Sequence, residues 1–328
     1  MKTSKRKTVW SFIIAAVLLV ALFLVAIKAG AIGITWKEIF SGLFGNGDYN
    51  YQNIHDTRFP RIFIAMLGGA ATAVSGVLLQ AVMKNPIADP GIIGISSGAN
   101  LVAIIIAFFA PALYLYKPFF AFLGGMVAFA IVYSLSWKGG LSPLRIILVG
   151  VAVSAMFTGI VDAFQAATSN SGISILNSNI SQESWGDVEV LACYVVVGLV
   201  ASFFVANTCN LLALSDDTAA SLGVNVNRDR IIVSIVAVLL ASISTAIIGP
   251  ISFLGLIVPH IARLLVGSNH KVLIPFTIIS GAFCFLLADT IGRLIAAPNE
   301  ISATIIMAIV GGPFFIFLLR RSDKTYGI

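Results

Sequence analysis

Ionisable side chains are rare within the apolar segments of this chain, and the few that occur there are the first candidates for chemistry. Asp289 and Arg293 are spaced so that one helix face brings their opposite charges together. Asp162 is a carboxylate in another apolar segment, where acidic residues can carry protons. Arg58 and Arg61 open a further segment, and guanidinium groups bind carboxylates through paired hydrogen bonds. Three interpretations are open: an internal ion pair, a proton relay and a docking surface for an acidic partner.

A short polar segment, 214–224, interrupts the apolar sequence and has the pattern of a capped soluble helix. Its serine suits an N-cap, and the two aspartates that follow suit the positive end of a helix. A glycine is placed to end the helix in the left-handed conformation. The segment carries no reactive group, so we interpret it as a helix offered to a partner. Its residues are Leu214, Ser215, Asp216, Asp217, Thr218, Ala219, Ala220, Ser221, Leu222 and Gly223.

Motifs of the common enzyme classes are missing from the sequence. It contains no Gly-x-x-x-x-Gly-Lys-Ser/Thr phosphate loop, so we expect ATP hydrolysis to reside elsewhere. It also lacks a His-Glu-x-x-His zinc helix and a Gly-x-Ser-x-Gly nucleophile elbow. The three histidines and three cysteines are scattered, which predicts no resident metal or cofactor. An intramembrane enzyme would need a catalytic cluster at one membrane face, and the sequence shows none.

The apolar composition predicts an all-α polytopic membrane protein with a single domain, 1–328. Of its 328 residues, 59% are hydrophobic and 10% charged, and its apolar runs approach the ~20 residues that cross a bilayer as helix. The runs are continuous, which excludes the alternation of a β-barrel. Pro60 suits a first helical turn, a short helix is expected from Thr35 to Phe44, and 169–188 is expected to be a polar loop. The ten predicted spans are about 9–30, 61–83, 92–110, 118–137, 144–168, 189–207, 230–249, 251–266, 272–295 and 301–319.

The distribution of lysine and arginine predicts the orientation. With the N-terminus in the cytoplasm, fourteen of the 20 basic residues fall on the inner side and six on the outer side. Both termini and segment 214–224 are then cytoplasmic, whereas Arg58, Arg61 and Arg293 lie outside. The first apolar run is longer than a signal-peptide core, so we interpret it as an uncleaved membrane helix. The net charge of +6 is explained by the inner loops and does not indicate nucleic acid.

Proline and glycine break the helical pattern at 85–98 and 249–259. Irregular backbone at membrane depth is tolerated only against protein or a water-filled cavity. The two breaks therefore predict a transport pathway rather than a simple anchor.

Several longer motifs resemble the FecCD-type permeases, the membrane subunits of ABC importers for iron-siderophores, haem and cobalamin. The first half matches through Arg-Phe-Pro-Arg at 58–61, where the family more often has leucine than Phe59. The resemblance covers nearly the whole chain, in order. The other matching stretches are 75–80, 85–91, 94–99, 211–214, 249–263, 288–293 and 311–313.

The resemblance implies a type II ABC importer permease with ten transmembrane helices, paired with a second identical or homologous permease in the bacterial plasma membrane. It implies two cytoplasmic ATP-binding subunits and an extracytoplasmic substrate-binding protein or lipoprotein. Arg58, Arg61 and Arg293 would dock glutamates of that binding protein. Residues 212–227 would form the coupling helices that enter a cleft of the ATPase.

We therefore expect a permease for a ferric complex, with iron-siderophore as the main prediction and haem or cobalamin as alternatives. The cargo is substrate, ATP binds the partner, and no cofactor is held permanently. A proton-coupled secondary carrier is the rival from another class. It would require Asp162 to be essential and transport to survive loss of the ATPase.

Overall fold

The computed structural model describes residues 5–29, 35–43, 49–136, 143–168, 184–295 and 299–326, and within these ranges every regular element is helical. A 3₁₀ helix, Pro111–Tyr116, leads into the fifth α-helix. The α-helices are α1 (Lys5–Lys28), α2 (Trp36–Leu43), α3 (Tyr49–Met83), α4 (Ile95–Phe109), α5 (Lys117–Ser136), α6 (Pro143–Thr168), α7 (Trp185–Leu212), α8 (Asp216–Ser221), α9 (Val226–Ile248), α10 (Leu254–Val266), α11 (His270–Ile295) and α12 (Ala303–Tyr326).

The helical class predicted from the sequence is confirmed. Seven of the described helices are long and apolar enough to cross a bilayer, namely α1, α3, α5, α6, α7, α9 and α11. Three shorter apolar helices, α4, α10 and the first part of α12, complete the set. Each of the ten predicted apolar segments therefore coincides with a helix, while the number of crossings stays a prediction.

Helix α3 forms the centre of the bundle and packs against α7, α9, α10 and α11. In its most apolar window 83% of the residues are buried, against 22% for α1 and for α6. Glycine permits this packing: a Cβ atom on Gly76 would lie 2.0 Å from the carbonyl oxygen of Gly255 on α10. Small residues let membrane helices approach this closely. The central position of α3 matters for function because the two candidate sites lie at the two ends of its apolar part.

The expected start of the second membrane helix was wrong. Helix α3 begins at Tyr49 rather than near residue 61, and Pro60 lies inside it rather than in its first turn. Hydropathy detects the part of a helix that the bilayer surrounds, and it does not detect a polar extension. Residues 49–59 stay helical because Tyr51 and Ile54 are buried against the core. Pro60 removes only one backbone donor from a long, well-packed helix.

Two other local predictions have mixed outcomes. The short helix expected from Thr35 to Phe44 is confirmed as α2, where Thr35 and Glu38 form a capping box through a 2.7 Å bond to the Thr35 amide. Phe44 lies outside the described residues, as does most of the expected polar loop, 169–183. The last residues of that loop begin α7, where the Ser184 amide donates to Asp187 at 2.8 Å.

Candidate functional site

One end of the bundle carries a set of five charged residues, which we call the arginine cluster: Arg58, Arg61, Asp289, Arg293 and Glu300. Asp289 on α11 is fully buried and is shared by two arginines. Arg61 Nη2 lies 2.8 Å from Asp289 Oδ1, and Arg293 Nε lies 3.1 Å from Asp289 Oδ2. Arg61 Nη1 also pairs with Glu300 Oε2 at 2.5 Å. The cluster thus links α3 and α11 with the residues just before α12.

The cluster also holds the end of α1. Arg58 Nη1 donates to the Ile27 carbonyl at 2.9 Å. Arg293 Nη1 donates to the carbonyls of Ala26 and Ala29 at 3.2 and 3.0 Å. The last carbonyls of a helix lack intrahelical partners and attract cations, so these bonds stabilise the α1 terminus.

The predicted Asp289–Arg293 ion pair is confirmed, and it belongs to a larger network than the spacing indicated. The three arginines are brought together, yet they are only 4–8% exposed, and the contacts described above lie within the protein. Three positive and two negative side chains leave the cluster with one net positive charge. Docking of an acidic partner at this cluster stays a prediction. Because the arginines are buried, docking would depend on the net positive charge of the cluster and on the residues at its rim.

Replacing Asp289 with asparagine is expected to destabilise the protein by about 3–5 kcal/mol, since it leaves Arg61 and Arg293 without their buried counter-charge. Thermal unfolding of the purified permease measures the effect. The matched control is Glu300→Gln: the Glu300 side chain is 42% exposed, so its loss should cost ~1 kcal/mol or less. Equal unfolding temperatures for the two variants would contradict the internal role of Asp289.

The opposite end of α3 adjoins the polar segment 214–224, and the predicted capped helix is confirmed there as α8. The Thr218 amide donates to Ser215 Oγ at 3.3 Å, so Ser215 is the N-cap. Gly223 has a φ of 82°, a value that favours glycine, and the Val224 amide reaches back to the Ala219 carbonyl at 3.2 Å. The segment is therefore a defined turn of helix rather than an irregular loop.

Asp216 fixes α8 to the bundle. It lies 2.6 Å from Lys84 Nζ just after α3, and 2.9 Å from Arg230 Nη2 on α9. Lys84 also donates to the Leu214 carbonyl. The hydrogen bond from Lys84, followed by the charge of Arg230, holds the pKa of Asp216 below its usual range. The anchoring interaction is thus present at neutral pH and is lost only as acid protonates Asp216 below its unfolded-state pKa.

The outer surface of α8 is free for a partner within the described structure. Ala219 is buried against the bundle, whereas Asp217, Ala220 and Ser221 are exposed. Leu222 is 62% exposed, which is unusual for a large apolar side chain in a polar loop. An anchored helix with an exposed apolar tip is suited to insert into a protein cleft.

The two candidate sites lie on opposite sides of the apolar bundle. Arg61 and Lys84 are both at ends of the apolar part of α3, and the helical rise of 1.5 Å per residue separates them by roughly 35 Å. The hydrocarbon core of a bilayer is about 30 Å thick. One continuous helix, α3, therefore connects the arginine cluster to the anchored polar helix α8.

The two predicted backbone breaks meet inside the bundle. Gln80 Nε2 donates to the carbonyls of Ala88 and Gly255, at 3.2 and 3.0 Å, and so holds the breaks together. Beside them lies a cavity of about 320 Å³ whose walls come from α4, α6 and the breaks. Its polar side chains include Ser96, Ser97, Asn100, Ser154, Thr158 and Asp162. The described residues contain no group of three or more His, Cys, Asp and Glu side chains placed for a metal ion.

Sequence comparison identifies the class of protein. The sequence pattern of the FecCD transport family matches residues 18–321, which includes both candidate sites. The chain belongs to the FecCD transport family. It is accordingly a membrane permease of that family, and the resemblance inferred from the motifs is confirmed.

Relatives match along nearly the full chain. The probable haem-iron transport system permease protein IsdF of Staphylococcus aureus strain Newman is 39% identical over 321 residues, covering 98% of each chain. The IsdF protein of strain MW2 is 38% identical with the same coverage. The FecCD chain described here therefore corresponds in length to these permeases.

Two solved structures share the fold. An inward-facing structure assigned to the metal-chelate type of ABC transporter superposes with a TM-score of 0.79 at 28% identity, covering 95% of this chain and 99% of that one. PsaBC from Streptococcus pneumoniae, solved with a Fab, superposes with a TM-score of 0.55 at 16% identity, covering 86% and 95%. The second likeness concerns the fold alone.

Sequence reasoning missed three residues of these sites: Lys84, Arg230 and Glu300. Lys84 and Asp216 are 132 residues apart, and Arg61 and Glu300 are 239 apart. No local pattern links positions at that separation. A polar or charged residue at the end of an apolar segment was the one available signal, and it does not specify a partner.

Proposed function

We propose that this FecCD permease is the transmembrane subunit of an ATP-driven importer that moves a ferric complex across the bacterial plasma membrane. The observation that carries the proposal is the anchored helix α8, whose position opposite the arginine cluster gives the bundle one surface for a motor and one for a cargo carrier. In the importer, the ten apolar segments cross the membrane and both termini are cytoplasmic. A second copy or a homologous permease completes the pathway.

Helix α8, with the flanking residues 212–227, transmits the movement of a cytoplasmic ATPase pair. The ion pairs of Asp216 with Lys84 and Arg230 connect α8 to α3 and α9, so a displaced α8 pulls on two central helices. The apolar tip at Leu222 enters the ATPase cleft. This permease itself performs no covalent chemistry.

The arginine cluster receives acidic groups of an extracytoplasmic binding protein. Arg58, Arg61 and Arg293 supply the positive field, while Glu300 at the rim already occupies Arg61 Nη1 at 2.5 Å. An incoming carboxylate therefore exchanges with Glu300 rather than meeting a bare guanidinium. Electrostatic attraction between the cluster and these acidic groups raises the rate at which the two proteins meet. This attraction weakens as the salt concentration rises.

The Glu300→Gln permease is expected to bind the loaded binding protein about three- to tenfold more tightly, which is roughly 0.7–1.4 kcal/mol. The change removes a competing carboxylate and raises the net charge of the cluster from one to two. Titration of the binding protein onto the reconstituted permease complex measures the affinity. A weaker affinity would contradict the exchange and would make Glu300 itself part of the docking surface.

The polar cavity beside α4 and α6 supports a hydrated, oxygen-rich chelate as cargo. Its hydroxyl groups, Asn100 and Asp162 offer hydrogen bonds to such a ligand, and weak polar contacts allow release. Haem is the second candidate cargo, because the related IsdF proteins are described as probable haem-iron transport permeases. Competition of unlabelled ferric siderophore and haem for uptake distinguishes the two.

The proposal is tested by ATP hydrolysis in the purified permease–ATPase complex. We expect the rate of ATP hydrolysis by the permease–ATPase complex to rise when cargo-loaded binding protein is added. Without the binding protein, the rate should stay low. Stimulation that is absent in every lipid composition tried would contradict the proposed assembly.

A further inference from the structure

A second cavity lies at the same end of the bundle as α8. It measures about 280 Å³, is open on one side, and is lined by the ends of α3, α7 and α10 and by the start of α11. Ala213, which immediately precedes the polar segment, is in its wall, and so is Lys84, which holds α8. The cavity is thus continuous with the surface that we propose for the ATPase.

Arg263 is the unusual residue of this cavity. Its guanidinium lines the space in a largely apolar helix, and no hydrogen bond or ion pair reaches it from the residues that the structure describes. Lys84 in the same wall is also positive, so it supplies no counter-charge to Arg263. The carboxylate of Asp216 is already paired with Lys84. Arg263 is partly buried, so its guanidinium is only partly hydrated, and the described residues give it no counter-charge.

Two further donors line the same cavity, a buried amide of Asn85 and an exposed hydroxyl of Ser268. Asn85 is 6% exposed, and its Oδ1 accepts from the Ile87 amide at 3.1 Å, which leaves the Nδ2 group as a donor with no acceptor among the described residues. Ser268 contributes a hydroxyl that likewise has no described acceptor. A guanidinium, an amide N–H group and a hydroxyl in one cavity form a complementary set for an oxyanion.

The neighbouring histidine is already fixed and does not change this conclusion. His270 Nδ1 lies 2.9 Å from Asn210 Oδ1, and the His270 amide donates to the same oxygen at 2.9 Å. Because that oxygen only accepts, Nδ1 carries the hydrogen. His270 Nε2 is then an acceptor, buried and without a described partner, so the ring offers no donor to an anion and Arg263 supplies the positive charge.

We propose that this cavity receives an acidic side chain of the cytoplasmic ATPase partner, whose carboxylate pairs with Arg263 and accepts from Asn85 and Ser268. The volume admits such a side chain with several waters, each of which takes up ~30 Å³ in the liquid. The inference rests on the proposed function and adds to it a second, charge-specific contact beside the apolar tip of α8. The partner's carboxylate would thus contact α10 and the end of α3, and α3 is also one of the two helices to which Asp216 connects α8.

The test measures ATPase binding to the purified full-length permease at low and high salt. Arg263→Gln is expected to weaken binding at least tenfold at low salt and to flatten the salt dependence, whereas Arg263→Lys keeps the affinity within about threefold. Arg228→Gln is the matched control, because Arg228 is an exposed arginine at the same end, on α9. Arg263→Gln removes an unpaired charge and breaks no described contact, so its thermal stability should be at least that of the wild type.

A carbodiimide cross-link supplies a second readout. The lysine introduced by Arg263→Lys is expected to form an amide with an aspartate or glutamate of the ATPase, identified by peptide mass spectrometry, and Arg263→Gln gives no such product. The native Lys84–Asp216 pair is the internal positive control. Cross-links confined to the permease would overturn the proposal.

The remaining outcomes are also decisive. Wild-type binding by Arg263→Gln would overturn this inference and leave the proposed function intact. If the wild-type permease does not bind the ATPase at all, the proposed function fails and the inference fails with it. If inorganic phosphate raises the unfolding temperature of the wild type but not of Arg263→Gln, and ATPase affinity is unchanged, the cavity is a free-anion site and the proposal is overturned.

Discussion

The Ala219→Pro permease is expected to lose ATP-driven transport while its membrane bundle remains folded. The Ala219 amide donates to the Ser215 carbonyl at 2.9 Å, and proline removes this bond and collides with the same carbonyl. The cost of about 3 kcal/mol in a helix interior exceeds what a helix of six residues can sustain. Helix α8 then unwinds, and Leu222 is no longer held where the ATPase cleft requires it.

Uptake and ATP hydrolysis are measured in the same reconstituted complex. Uptake should fall to background, and hydrolysis should either lose its response to the binding protein or disappear because the ATPase dissociates. Ala219→Ser is the matched control, since it keeps the amide and nearly the volume of the buried side chain. Normal transport by Ala219→Pro would remove α8 from the mechanism.

The Arg58→Glu permease is expected to lose stimulation by the binding protein and to keep basal ATP hydrolysis. The change turns the net charge of the arginine cluster from plus one to minus one, so attraction of an acidic partner becomes repulsion. A loss of about 2 kcal/mol corresponds to roughly 30-fold weaker binding. Arg58 is the better position than Arg61, because its reversal loses the bond to the Ile27 carbonyl, whereas reversal of Arg61 would break ion pairs with both Asp289 and Glu300.

Arg58→Lys keeps the charge and should retain most of the stimulation, while Arg58→Gln should lie between the two. The unfolding temperature of each variant separates a docking defect from a folding defect. Full stimulation of Arg58→Glu at physiological salt would show that the binding protein docks elsewhere.

The local features of this chain were predictable because neighbouring residues determine them. Ser215 and Gly223 lie at the ends of one short helix, and their types alone specify a cap and a left-handed terminus. The Asp289–Arg293 pair follows from helix geometry in the same way. Apolar segments likewise predicted which parts of the chain are helical.

The features that join distant segments were not predictable. Asp289 is shared with Arg61 from a position 228 residues away, and α8 is held by Lys84 from 132 residues away in the sequence. Pro60 shows the converse limit: its local preference for a first turn was overridden by the packing of Tyr51 and Ile54. Tertiary contacts decide such cases, and the sequence around each residue does not contain them.

The central claim is that ATP hydrolysis, transmitted through α8, drives the import of a ferric complex. The most direct test loads proteoliposomes containing the permease and its ATPase with ATP inside and supplies iron-59-labelled cargo on the binding protein outside. The account predicts uptake that requires ATP, the binding protein and an intact α8, and that is insensitive to collapse of the proton gradient. Uptake that persists without ATP, follows the proton gradient and is abolished by Asp162→Asn would contradict it and establish a proton-coupled carrier.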